Sequence, residues 1–246
     1  MHRVLAKDSL RIAVVGDVDP DTLGKLLDRT FGGLPAKSSL TPVADIDATK
    51  PPQRNFIPLD VPQTVVTFGD PGIKRNDPVF MAAYVVTHIL GGGSGSRLYR
   101  EVREKRGLAY SVSGSLAWMD HSALFVGSTG TRADRASETV DAITSVVQHM
   151  AENGPTEQEL DEAKSYLKGS RLLSLDTSAK LAAAMLQYQL DHLSIDYLER
   201  RNALVDAVTI EDAKKAARTL WGDGLLTVIV GRAAAQPVAA GPMKAN

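Results

Sequence analysis

The stretch Gly91-Gly92-Gly93-Ser94-Gly95-Ser96-Arg97-Leu98-Tyr99, continued by Arg103-Glu104-Lys105-Arg106-Gly107-Leu108-Ala109-Tyr110, organises the rest of this chain. A glycine loop opens a short charged helix, Gly107 stops it, and a strand follows almost at once. Arg103 and Tyr110 therefore fall on either side of a helix-to-strand corner.

Beyond the corner, residues 109–118 and 123–131 read as a hairpin around Met119-Asp120-His121-Ser122. Strict alternation puts Tyr110, Val112, Leu116 and Trp118 on one face and Ser111, Ser113, Ser115 and Ala117 on the other. Helical spacing marks residues 133–152, ended by Gly154-Pro155, and Thr156-x-x-Glu159 caps the next helix. Further helices are expected at 178–192 and 196–205, with Thr209-x-x-Asp212 capping one that runs to about Leu220. A last strand covers Leu225–Val230.

Towards the N-terminus, Gln63–Gly69 reads as a strand and Pro78–Leu90 as a largely buried helix. Residues 10–16, Leu-Arg-Ile-Ala-Val-Val-Gly, read as a strand. Asp19 then caps a helix that ends at Gly32-Gly33. Between them, residues 35–62 hold six prolines and little apolar periodicity, as an extended linker would. The tail from residue 233 is rich in Ala, Gln, Pro and Gly and is expected to be disordered. The strand at 10–16 resembles the one at 225–231, as it would if two halves of a duplicated protein each ended in such a strand. Any two buried strands can also look alike.

Composition narrows the function. An apolar fraction of 43% and a charged fraction of 23% are those of a globular chain with a sizeable core. A net charge of −1 gives no electrostatic reason to expect nucleic acid as a partner. No stretch reaches the roughly 18 apolar residues of a membrane span, and the first residues have no apolar signal region, so the compartment stays open. Without cysteine there is no disulfide, thiol nucleophile or thiolate metal site. The five histidines, His2, His88, His121, His149 and His192, are too far apart to share a helix face, so no metal site is expected.

Two chemistries compete for the central stretch. The glycine loop could cradle an anion, but it follows a helix rather than a strand and lacks the Lys-Ser/Thr of a Walker loop. For the corner, the pairs Arg97–Glu101, Arg100–Glu104 and Glu101–Lys105 satisfy one another at i,i+4, which leaves Arg103 without a partner. It is either a solvated surface arginine or a fork facing a cleft together with Tyr110. In a cleft the fork would donate to peptide carbonyls or a carboxylate, and the phenol to a developing oxyanion.

The strings Leu90-Gly91-Gly92-Gly93-x-x-Ser96-Arg97-Leu98 and Val102-Arg103-Glu104-Lys105-x-Gly107-Leu108-Ala109-Tyr110-Ser111-Val112 resemble the second half of pitrilysin/insulinase-type zinc peptidases, the mitochondrial-processing-peptidase-like family. So do Pro155-Thr156-x-x-Glu159-Leu160-x-x-Ala163-Lys164 and Val208-Thr209-x-Glu211-Asp212. Val14-Val15-Gly16-Asp17-Val18-Asp19-Pro20 resembles the end of the first half. The resemblance implies an α+β fold, an antiparallel sheet backed by helices, in each of two halves that close like a clam shell. Residues 1–34 would end the metal-type half, 35–62 link, 63–232 form the C-terminal substrate-binding domain and 233–246 trail.

By the same resemblance, zinc sits on an H-x-x-E-H helix in the N-terminal half, a motif missing here, and this chain holds no cofactor. Arg103 and Tyr110 would position the peptide and support the tetrahedral intermediate, with Gly91, Gly92, Gly93, Ser94 and Gly95 near the substrate. The chain would be the substrate-binding, non-metal portion of a zinc metalloendopeptidase, inactive alone and partnered by a zinc-bearing half or subunit in a homo- or heterodimer. The alternative is a non-catalytic structural homologue of the core-subunit kind.

Overall fold

The β-branched, turn-bounded runs of the chain assemble into one five-stranded sheet. Its strands are β1 (Gln53–Pro58), β2 (Thr64–Pro71), β3 (Ala109–Met119), β4 (Ser122–Thr131) and β5 (Leu226–Gly231), in the spatial order β1-β5-β2-β4-β3. The computed structural model describes residues 4–46, 48 and 52–232. The tail expected to be disordered, 233–246, lies outside the described residues, as does part of the expected linker. The chain divides into two units, residues 1–46 with 165–206 and residues 47–164 with 207–246.

The sheet belongs to the second unit. Three of its ladders are antiparallel, including the β3–β4 hairpin, whose turn is Asp120-His121. The fourth departs from the expected pattern. Within the Pro-rich segment, residues 53–58 pair with β5 in parallel, from Gln53↔Leu226 to Pro58↔Gly231, so the sheet is mixed. The prolines bracket this strand rather than forbid it. Pro52 precedes it and Pro58 ends it, and as an edge strand it can spare a ladder donor at Pro58.

Helices α2 (Phe80–Gly91), α3 (Ala136–Asn153) and α7 (Ile210–Trp221) pack on one face of the sheet. α2 is apolar all round and correspondingly buried along most of its length. Phe68, Phe125 and Trp221 join the layers, with ring centroids 6.1 Å and 5.1 Å apart along that chain. Each such side chain contributes on the order of 2 kcal/mol on burial. The other face carries small and polar side chains, with Val65, Thr67, Ser113, Ser115, Ala117, Val126 and Ser128 all exposed. Both expected capping boxes form: Thr156 and Glu159 exchange hydrogen bonds, as do Thr209 and Asp212. The Thr156 box opens α4 (Glu157–Leu173).

The first unit is helical. α1 (Pro20–Phe31) starts at Asp19, whose Oδ1 accepts from the Thr22 amide at 2.9 Å. α5 (Ser178–Leu190) and α6 (Tyr197–Asp206) meet through a T-shaped contact of Tyr188 with Tyr197. The strand expected at residues 10–16 does not form. Its β-branched residues supply propensity, but a ladder needs a neighbour, and among the described residues this unit contains no strand.

Candidate functional site

The corner is built by two irregularities of one residue each. Ser96, buried, caps the charged helix by accepting from the Tyr99 amide at 3.3 Å. From Tyr99 to Lys105 the helix is then a π-helix rather than an α-helix. It ends where Gly107, at φ +58°, takes the left-handed conformation that glycine adopts without strain. The Leu108 amide reaches back to the Val102 carbonyl at 2.8 Å.

The second irregularity lies in β3. Ala109 pairs with Thr131 and Val112 with Thr129, so two residues, Tyr110 and Ser111, oppose Gly130 alone. This is a β-bulge, and it corrects the expected face. Val112, Gly114 and Leu116 point into the core, but Tyr110 is shifted out of their row and is 81% exposed. Two threonines of β4 pin the distortion. Thr131 Oγ1 donates to the Leu108 carbonyl at 2.7 Å, and Thr129 Oγ1 to the Ser111 carbonyl at 2.6 Å.

These two devices bring Arg103 and Tyr110 together. The Arg103 guanidinium carbon lies 4.7 Å from the Tyr110 ring centroid and 4.9 Å from that of Tyr99. Each contact contributes about 0.5–1 kcal/mol at an exposed position. Ring contacts of this kind do not consume the guanidinium N–H groups. Those groups meet no hydrogen-bond acceptor or ion-pair partner among the described residues, and neither does the Tyr110 hydroxyl. The result is a cationic fork in contact with an exposed phenol. Both can donate to a peptide carbonyl, a carboxylate or an oxyanion.

The remaining charges pair differently from the expected i,i+4 scheme. Only Glu101–Lys105 survives, at 3.0 Å. Arg106 joins Glu101 at 2.9 Å because the wider π turn places i and i+5 on one side. Lys105 first, and then Arg106, hold the Glu101 carboxyl below its usual range. Arg97 leaves its own helix. It grips Glu159 with Nε at 2.8 Å and Nη2 at 2.6 Å, donates to the Gly154 carbonyl at 3.0 Å, and contacts His149 Nδ1 at 3.3 Å. With side chains only 14% and 16% exposed, this pair ties the π-helix to the α3–α4 junction. Burial alone would raise the Glu159 carboxyl. The Arg97 and Thr156 hydrogen bonds and the Arg97 charge outweigh it and bring it down to about 2.

The glycine loop divides in two. Gly91 is buried, and a Cβ there would stand 2.5 Å from the Gly114 amide nitrogen of β3, so its smallness serves packing. Gly92, Gly93, Ser94 and Gly95 are exposed, Gly93 at φ +148° with open space around it. His88, half-buried near the end of α2, is shifted down by that burial. Among the described residues no three His, Cys, Asp or Glu side chains lie close enough to hold a metal ion, so the donors present do not fit a zinc site. No described helix is long and apolar enough to cross a membrane. Away from the corner, burial first and then the Asp223 charge push the Asp70 carboxyl of β2 up to about 7.

Tyr99, four residues before Arg103, was legible as its helical neighbour but not as part of the site, because a ring offers no charge to pair. Thr129 and Thr131 carried no signal beyond strand propensity.

Comparison with known proteins supplies a context. The Peptidase M16 inactive domain family matches residues 1–167. An uncharacterized zinc protease of Streptomyces coelicolor is 32% identical over 222 residues, covering 87% of this chain and 48% of that protein. A non-peptidase homolog from Helicobacter pylori is 30% identical over 177 residues, 71% of this chain and 40% of the other. The crystal structure of a peptidase M16 inactive domain from Pseudomonas fluorescens superposes with a TM-score of 0.81 at 29% identity, over 90% of this chain and 53% of that one. The chain spans about half the length of the curated relatives it matches.

Proposed function

From the premise that this chain belongs to the peptidase M16 inactive domain family, we propose that it supplies the peptide-gripping wall of a two-part zinc peptidase. Arg103 and Tyr110 are the groups that meet the substrate backbone, and the exposed loop residues Gly92–Gly95 leave room for it to approach. Since the donors among the described residues do not fit zinc, the metal belongs to an N-terminal-type half, on the same polypeptide or on a partner subunit in a homo- or heterodimer. This chain alone does not hydrolyse peptides.

One observation carries the reading. The Arg103 guanidinium lies against two tyrosine rings, one of them the exposed phenol of Tyr110, and its N–H groups have no partner among the described residues. A solvated surface arginine has no need of a π-helix and a β-bulge to place it. The fork orients a substrate carbonyl, and the two donors stabilise negative charge as it develops on that oxygen.

The test uses the protease reconstituted with its zinc-bearing half. Arg103→Ala and Tyr110→Phe should each lower kcat/KM by about 10²–10³. Changes below about threefold in both would refute the role. They would leave a non-catalytic structural homologue as the better account; the Helicobacter pylori relative is named a non-peptidase homolog.

A further inference from the structure

The π-helix also borders a cleft that Arg103 does not line. It encloses about 480 Å³ between the helix and α3, walled by Arg97, Arg100, Lys105 and Arg106 with Glu101, Glu159 and His149. Four permanent cations face two carboxylates, which leaves two positive charges in excess. Both carboxylates are already saturated. Glu159 takes the Arg97 fork and the Thr156 amide and hydroxyl, and Glu101 takes Lys105 and Arg106.

The cations are not equally bound. Arg97 is locked, whereas Arg100 makes only an end-on 3.5 Å approach to Glu159 and is half-exposed. Arg106 is likewise half-exposed and Lys105 mostly exposed, and they share one carboxylate between them. Ala142 and Val146 of α3 form an apolar wall, which lowers the local dielectric and strengthens attraction for an anion. A further carboxylate that feels Arg106, Glu138, is engaged by Arg135 at 2.7 Å.

We propose that this cleft binds a compact dianionic oxyanion of the phosphate class. Arg100 and Arg106 are its principal donors and Lys105 a further positive charge at the rim. The two excess charges match the dianion, and guanidinium forks suit tetrahedral oxygens. The free ion and a phosphomonoester share this chemistry. The site is separate from the Arg103–Tyr110 pair and does not depend on peptide binding there.

The chain is titrated with inorganic phosphate and, separately, with O-phosphoserine in low-salt buffer at pH 7.5, by calorimetry and by amide chemical shifts. The expected result is saturable one-to-one binding with Kd on the order of 1 mM or tighter, with shifts confined to residues 97–106, 142–149 and Glu159. Preference between the two ligands then tells whether the free ion or the ester is taken. Arg100→Gln, which gives up only the 3.5 Å contact, and Arg106→Gln should each weaken binding at least about fivefold. Arg132→Gln, paired with Asp134 elsewhere, should leave it unchanged. No saturation by either ligand up to about 20 mM, shifts centred elsewhere, or affinity unchanged from the parent chain in both Arg100→Gln and Arg106→Gln would overturn the proposal.

Discussion

Replacing Glu159 by glutamine isolates the charge that fastens the π-helix to the rest of its unit. In the folded chain the Arg97 hydrogen bonds and the Thr156 amide overcome burial and lower this carboxyl from 4.5 to about 2. At about 1.4 kcal/mol per pH unit, that fall is equivalent to about 3 kcal/mol favouring the folded, ionised state. Arg100, the outer partner, is half-exposed, so solvent trims the figure to about 2–3 kcal/mol. A lowered carboxyl stabilises fully above its unfolded value, and the contribution disappears as pH falls from 4.5 towards 2. Glu159→Gln should therefore be about 2–3 kcal/mol less stable than the parent at pH 7, with the gap closing below pH 4.5. Urea unfolding followed by tryptophan fluorescence reads this directly. Both tryptophans, Trp118 and Trp221, lie in the unit that contains Glu159. A gap that stays constant from pH 7 to pH 2.5, or none at pH 7, would refute the reasoning.

Asp70 should behave in the opposite sense. Burial and then Asp223 raise its carboxyl from 3.8 to about 7, so its ionisation weakens the fold as pH rises through that window. After allowance for solvent screening, Asp70→Asn should stabilise by about 1–2 kcal/mol at pH 8 and by nothing at pH 3.5, measured by urea denaturation. Gly91→Ala drives a methyl into the Gly114 backbone and should destabilise by about 1–3 kcal/mol, whereas Gly95→Ala, with open space around it, should stay within about 0.5 kcal/mol in thermal melts. Removing one ring of the Arg103 stack by Tyr99→Leu should lower kcat/KM of the reconstituted protease about two- to fivefold. It should have no further effect in an Arg103→Ala background, and additive losses would show that Tyr99 acts elsewhere.

The helix caps at Asp19, Thr156 and Thr209 were legible because one side chain and one neighbouring amide make each of them, and that information is local. The hairpin was legible from its alternation. The corner itself was only half legible. Its residue types pointed to Arg103 and Tyr110, but strict alternation put Tyr110 on the face of Val112 and Leu116, and i,i+4 counting paired Arg97 with Glu101. Both expectations failed for one reason: they assume a fixed period, and a π turn or a bulge changes the period by one residue without a mark in composition. β1 was hidden for another reason. Prolines on both sides made its six residues look like linker, and its partner β5 lies more than 160 positions later. The run at 10–16 shows the converse, strand propensity with no ladder partner in its unit.

The bulge and the π turn have a consequence for how this segment can vary. Each is an insertion of one residue relative to regular structure, one in the helix before Gly107 and one in the strand after it. Deleting a single residue from 99–105 would restore an α-helical turn and swing Arg103 away from Tyr110. Deleting one from 110–111 would restore the pleat and send the next side chain to the opposite face. Such a deletion could remove a chemically unremarkable residue, such as Glu104 or Ser111, and still separate the pair. At this corner chain length carries information as side-chain identity does elsewhere, and a homologue one residue shorter here would keep both letters while losing their meeting.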